Sequence, residues 1–368
     1  MHNSCNPRQA EGLLIHHLNA LWSDPARVAD IPPLMLWGPP GIGKSSIVRS
    51  VTTRLGINLL DIRLAQREPV DLRGLPVPRG DTVSWLLPAE WPREPASRGI
   101  ILFDELSAAD RSLQVAAYEL ILDRRLGDLY RVPDGWYICA AGNRSEDHAV
   151  AGMMSSALAN RFCHLDLEAD PETWVHWAQE TGLHPTVCAF MRVFPQHLFS
   201  LPEESERGWP SPRSWERVAH ALVRAEAGHL PEDHLRLIVC GLIGPGVGTE
   251  FLAWNTEMAS LPNAREMLLG HIPLRIPARA DQRYALCAAM VFQLWRHADQ
   301  PGVIRRFLAF GCELPGDFAT MTLTDAMQHS EQHEAVRRAD LLLQHPDMAA
   351  WKKQHGAAFG KGRSRRAA

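Results

Sequence analysis

The sequence predicts an α/β fold, a parallel sheet sandwiched by helices, followed by an all-helical region. Three observations predict it. Short, fully apolar runs alternate with helical patterns through the first 168 residues, as in a parallel sheet covered on both faces. A glycine-rich loop, Gly38-Pro39-Pro40-Gly41-Ile42-Gly43-Lys44-Ser45, joins one such run to a helical pattern. Strand signals then vanish from about Asp170, and helical periodicity takes over.

Residues 9–22 read as a helix, with Ala10, Leu13, Leu14, His17, Leu18, Leu21 and Trp22 on one face. Breaks at Asp24-Pro25 and Pro32-Pro33 bracket the approach to a strand, Leu34-Met35-Leu36-Trp37. After the glycine-rich loop comes a helix, Ser46 to Leu55, and a second strand, Ile57 to Leu64. Residues 66–98 are rich in Pro, Gly and charge. They fit a hairpin turning at Arg79-Gly80-Asp81, with Val83–Leu87 returning. Gly99–Phe103 is a short apolar strand, and Asp110 is placed to cap a helix running to about Arg124. Leu126–Tyr137 reads as another hairpin, turning at Pro133-Asp134-Gly135. Trp136–Ala141 and Phe162–Leu167 complete the strands. Helices are expected at Pro171–Thr181, Pro185–Val193, Pro212–Glu226, Asp233–Ile243 and Asp281–His297. The end, Phe359 to Ala368, reads as a disordered tail.

Composition narrows the class. The chain has 368 residues, 46% apolar and 22% charged, so a sizeable core is expected. A net charge of −4 argues against a dedicated nucleic-acid binder. The seven cysteines are odd in number, widely spread and without a C-x-x-C pair, which suits buried reduced thiols. Met1–Arg8 has no signal-peptide layout and no apolar run is long enough for a membrane span, so a cytoplasmic location is expected.

The glycine-rich loop matches G-x-x-x-x-G-K-[ST], and its strand–loop–helix context makes it a phosphate-binding loop. Its glycines let main-chain N–H groups point at phosphates, where the helix dipole also favours negative charge. Gly38, Pro39, Pro40, Gly41, Ile42, Gly43, Lys44, Ser45 and Ser46 form the expected nucleotide-binding set. Lys44 would reach the β- and γ-phosphates, and the Ser45 hydroxyl would sit on Mg²⁺. Ile100-Ile101-Leu102-Phe103-Asp104-Glu105 is an apolar strand ending in two carboxylates. Ligands of an open parallel sheet bind at the carboxyl ends of its strands. Asp104 is thereby the second expected Mg²⁺ ligand, and Glu105 the group that orients or deprotonates a water.

Asn143, ending the next strand, is either a γ-phosphate contact or an ordinary turn asparagine. Arg161 is either a surface arginine or a finger supplied to a neighbouring subunit. Arg144 and Arg111 compete for that role. Arg213 sits in the first turn of a helix, where a cation is unhelpful to the dipole, which hints at an anionic partner. Three other features carry less. Gly244-Pro245-Gly246-Val247-Gly248 reads as a loop between helices. His329 and His333, spaced i, i+4, read as a solvated helix face rather than a metal site. Lys361, Arg363, Arg365 and Arg366 read as a solubilising end.

With the phosphate loop, Asp104-Glu105, Asn143, Arg161 and Arg213 in this order, residues 10–260 resemble an AAA+ ATPase, and within that class its MoxR-like branch. Ala140-Ala141-Gly142-Asn143 resembles the branch's sensor-1 strand, and Pro210-Ser211-Pro212-Arg213 its sensor-2 helix. Leu126–Pro133 resembles its hairpin before sensor 1, and Asp71–Pro76 its helix-2 insert. The resemblance implies an AAA+ core over 1–168, a helical lid over 169–262 and ATP bound between subunits of a hexameric ring. It also implies a chaperone-like role on a protein client, often beside a partner with a von Willebrand A domain. Residues 263–356 match nothing in it and form a C-terminal helical extension, followed by the tail at 357–368. Two other readings stand beside this one: a nucleotide-dependent switch that recruits a partner, and a nucleic-acid-linked ring ATPase.

Overall fold

The computed structural model describes residues 3–147, 154–201, 207–329 and 332–356. The chain forms two compact units that divide between Ala169 and Asp170.

Among the described residues the first unit holds ten strands: β1 (Ser4–Cys5), β2 (Leu34–Trp37), β3 (Asn58–Arg63), β4 (Leu75–Arg79), β5 (Thr82–Leu86), β6 (Gly99–Asp104), β7 (Arg125–Leu126), β8 (Tyr130–Arg131), β9 (Trp136–Gly142) and β10 (Cys163–Leu167). Its helices are α1 (Pro7–Ser23), α2 (Lys44–Leu55), α3 (Pro69–Arg73), α4 (Arg111–Asp123) and the single turn α5 (Ser156–Ala159). Six strands form one sheet in the order β1-β10-β2-β9-β6-β3, and every pair is parallel.

Period-two alternation sorts the apolar runs onto two faces. Leu34, Leu36, Ile100, Leu102, Cys139 and Ala141 pack with Leu14, Leu18 and Leu21 of α1 and Val48 and Val51 of α2. Met35, Ile101, Phe103, Ile138 and Ala140 face the other way, onto Leu113, Ala116, Ala117 and Leu120 of α4. Two buried faces explain why these strands show no polar alternation. Asn6 caps α1 through a reciprocal pair of hydrogen bonds with Gln9.

Two hairpins stand apart from the sheet. β4 and β5 pair around Gly80-Asp81, as expected. The second hairpin differs from expectation: β7 and β8 turn at Gly127-Asp128-Leu129, closed by the Leu129 N–H on the Leu126 carbonyl. Pro133-Asp134-Gly135 instead makes the separate turn that feeds β9. Both segments carry turn residues, and the shorter connection takes the hairpin. Asp110 precedes α4 but its side chain makes no capping bond. The Gln114 amide donates to the Leu106 and Ala109 carbonyls at that end instead.

The second unit is helical: α6 (Pro171–Glu180), α7 (Pro185–Val193), α8 (Pro212–Glu226), α9 (Glu232–Ile243), α10 (Pro245–Met258), α11 (Ala264–Leu269), α12 (Ala280–Arg296), α13 (Val303–Glu313), α14 (Gly316–Met327) and α15 (Gln332–Leu343). Helices on both sides of residue 262 pack together, α7 against α12. The Arg192 guanidinium pairs with buried Asp325 at 2.6 Å. An aromatic cluster surrounds Phe190, its ring centroid 5.5 Å from Trp215, 5.1 Å from Phe251 and 5.3 Å from Trp254. Among the described residues no helix is long and apolar enough to cross a membrane. All seven cysteines are free thiols.

The run Gly244–Gly248 is not a loop. Gly244, at φ 82°, breaks the backbone between α9 and α10, and Pro245 then opens α10. Gly248 lies inside α10, where an added Cβ would meet the Cys240 Cα at 2.9 Å. The glycine is there for helix–helix approach. Gly248→Val should therefore destabilise the second unit by about 1–3 kcal/mol through overpacking. Scanning calorimetry of the variant should show a lowered midpoint, and an unchanged midpoint would refute the close-crossing argument.

Candidate functional site

The loop between β2 and α2 is shaped by its glycines. Gly38, Gly41 and Gly43 have φ of 148°, 82° and 110°, values that L side chains rarely adopt. At Gly38 an added Cβ would also approach the Leu167 carbonyl to 3.0 Å. Gly43 is the N-cap of α2 and supplies no side-chain cap. The helix therefore opens with its N–H groups and dipole toward the loop.

Lys44 is buried, at 9% exposure. Its Nζ donates to the Gly38 carbonyl at 2.5 Å, the Pro39 carbonyl at 3.0 Å and Asn143 Oδ1 at 2.9 Å. One turn of chemistry away, Ser45 Oγ donates to Asp104 Oδ2 at 2.6 Å. The structure thus brings together Lys44 and Ser45 from the start of α2, Asp104 from the end of β6 and Asn143 just past β9. All lie at the carboxyl edge of β2, β6 and β9, where the parallel sheet should hold a ligand. A hydroxyl and a carboxylate side by side are hard oxygen donors, which suits Mg²⁺. The wide-φ glycines and the open space over Gly43 suit a phosphate.

Glu105 follows Asp104 in the left-handed region, at φ 57° and ψ 31°. Its N–H donates to Asp104 Oδ1 at 2.9 Å. The Glu105 carboxylate makes no hydrogen bond or ion pair with a described residue and is only half-buried. A non-glycine residue held there costs about 1–2 kcal/mol.

Ser107 is a residue the sequence reading missed. It is buried, and its Oγ accepts from the Asn143 N–H at 3.0 Å. Gly142 makes room for it, since a Cβ there would lie 2.8 Å from Ser107 Oγ. A small hydroxyl residue three positions past the acidic strand end was the available signal.

The arginines separate clearly. Arg144 is clasped by Asp147 at 3.0 Å, Glu146 at 3.3 Å and Asp166 at 3.6 Å. The Asp147 hydrogen bond chiefly holds its pKa above the ordinary value. Arg161 is exposed, in the turn just before β10, at the sheet edge opposite the phosphate loop. Its guanidinium makes no hydrogen bond or ion pair with a described residue. Arg111 is exposed in the first turn of α4. Arg213 is exposed in the second unit, in the first turn of α8, behind the reciprocal Ser211–Ser214 cap.

Arg124 was not foreseen. It adopts φ 54°, and its guanidinium donates to the Pro133 and Trp136 carbonyls at 3.0 and 2.7 Å. Burial pushes its pKa down to about 10. It ties the end of α4 to the start of β9. His329 lies outside α15 and His333 within it, so the pair does not share one described helix. No metal-binding cluster occurs among the described residues. The basic tail lies outside them.

If the backbone at Glu105 is strained for the sake of the site, Glu105→Gly should raise stability by about 0.5–1 kcal/mol. Urea unfolding measures it, and a destabilised variant would show that the left-handed geometry carries no strain.

Residues 34–119 match the family model described as AAA, ATPase family associated with various cellular activities. That span runs from β2 into α4 and takes in the glycine-rich loop, Lys44, Ser45, Asp104 and Glu105. No curated protein sequence matches the chain. Among solved structures, the chain is similar to NtrX from Brucella abortus in complex with ADP, at 16% identity and TM-score 0.35, over 91% of this chain and 67% of that one. It is also similar to the Thermotoga maritima RuvB Holliday junction branch migration motor, at 15% identity and TM-score 0.36, over 81% of this chain and 86% of that one. The first unit is a helix-covered parallel α/β sheet, and the family match falls within it.

Proposed function

We propose that this chain is an ATPase of the AAA+ class that couples ATP hydrolysis to remodelling or maturing a protein client. The observation that carries the reading is the joined pair of contacts at the sheet's carboxyl edge, Lys44 with Asn143 and Ser45 with Asp104.

The chain's own groups divide the work. The N–H groups at the start of α2 bind the phosphates. Lys44 exchanges its carbonyl and amide acceptors for phosphate oxygens. Ser45 and Asp104 would hold Mg²⁺, which when bound neutralises charge developing on the phosphates. Glu105, with its carboxylate uncommitted, orients the attacking water and accepts its proton. Asn143, fixed by Ser107, keeps its amide at the γ-phosphate end. Arg161, remote from its own phosphate loop and uncommitted, serves the site of a neighbouring subunit. Arg213, exposed in the first turn of α8, is the remaining cation proposed for nucleotide phosphate. Arg144 is spoken for by three carboxylates.

In this proposal the chain works as a hexameric ring of identical subunits in the cytoplasm. The hairpins β4–β5 and β7–β8 support the MoxR-like branch, and with it a partner bearing a von Willebrand A domain. Hydrolysis would remove the γ-phosphate contacts and be transmitted as motion of the two hairpins.

Two substitutions test the scheme. Lys44→Ala should abolish ATP uptake measured by calorimetry with magnesium present, and normal uptake would sink the proposal. Arg161→Ala should leave uptake intact and lower turnover by about 10³-fold in a phosphate-release assay. Unchanged turnover would remove Arg161 from the site and leave Arg111 as the remaining uncommitted candidate of the first unit's three.

A further inference from the structure

Two prolines decide which edge of the β4–β5 hairpin is open. Pro76 and Pro78 have no N–H, so neither can donate to β5. In an antiparallel ladder, residues that exchange both hydrogen bonds alternate with residues that exchange none. The exchanging pairs are therefore Leu75–Leu86, Val77–Ser84 and Arg79–Thr82, and the pairs Pro76–Trp85 and Pro78–Val83 lie between them. At these intervening pairs the main-chain groups turn away from the partner strand. The outer edge of β4 thus offers carbonyls without donors at its prolines. The outer edge of β5 offers a donor and an acceptor at both Val83 and Trp85.

That edge is also apolar. Val83 is 58% exposed, Trp85 41% and Leu86 61%. An exposed strand edge flanked by large apolar side chains is a template for another strand. Beside it lies a cavity of about 530 Å³ between the two hairpins, lined by Trp85 and Leu86 on one side and Leu129 and Arg131 on the other. Arg93 and Arg131 are its charged residues, with no carboxylate in the lining. Leu129 is itself 51% exposed.

We propose that β5 receives an extended acidic segment of a client protein as an added strand. The segment's main chain pairs with Val83 and Trp85. Its apolar side chains lie on Trp85, Leu86 and Leu129, and its carboxylates meet Arg93 and Arg131. The proposal rests on the client-remodelling reading and names the chemistry of the client. A single-stranded nucleic acid could stack on Trp85 and meet the arginines. It would leave the Val83 donor–acceptor pair and the leucines without a use.

The test is fluorescence anisotropy on the full chain, without nucleotide. The probe is a fluorescein-labelled decapeptide alternating glutamate with valine or leucine. It should bind, and versions with lysine for glutamate or with N-methylated amides should bind at least about tenfold more weakly. Val83→Pro removes one outward donor without touching an exchanging pair, and should weaken the acidic probe at least about tenfold. Arg131→Glu should do the same through charge. Both variants should keep the parent's ATP uptake, which reports that the core is folded. Failure of the acidic probe to bind overturns the proposal. So does equal affinity for Val83→Pro and Arg131→Glu, or displacement of the probe by oligothymidylate. Because the measurement needs no hydrolysis, probe binding without ATP uptake would overturn the ATPase reading alone.

Discussion

The Lys44 ammonium is the knot of the first unit. It is buried, and it is held by two carbonyls of its own loop and by the Asn143 amide oxygen on the adjoining strand. A buried cation must be hydrogen-bonded or its desolvation is uncompensated. These three acceptors meet the ammonium's hydrogen-bonding need inside the loop. The same contact fixes where β9 ends relative to β2. The second contact, Ser45 with Asp104, fixes β6 against the same helix. Removing the loop's glycine conformations would move Lys44, and both junctions would go with it.

Much of this was legible before any coordinates. The apolar strands could be read because burial on both faces removes every polar position, leaving short runs such as Ile100–Phe103 that stand out from helical periodicity. The phosphate loop could be read because few sequences satisfy its steric demands. Strand ends then located Asp104 and Asn143, since parallel sheets gather ligands at one edge. Arg213 was legible from its place in the first turn of a helix and Arg161 as a candidate finger, and both are exposed in the fold.

What escaped was set by tertiary contact. The turn at Gly127-Asp128-Leu129 and the one at Pro133-Asp134-Gly135 have equally good local chemistry, and Arg124, reaching from α4 to the Pro133 and Trp136 carbonyls, binds the second to β9. The Gly244–Gly248 run looks like a loop until Cys240 is seen against Gly248. Ser107 carries only a weak signal in sequence; its hydroxyl matters because Gly142 lets β9 pass close by. Strand order was also invisible, because pairing partners of β2 are chosen by distant segments.

That last point has a consequence for how the molecule comes into being. Leu34 pairs with Cys139 on one side and Cys163 on the other, both far along the chain. During synthesis the segment carrying the phosphate loop emerges from the ribosome long before either neighbour exists. Such non-local pairing slows folding and leaves apolar strands unprotected in the meantime. The nascent loop has no Asn143 for its lysine and no finished sheet edge, so the proposed nucleotide site is assembled only once nearly the whole first unit has been made.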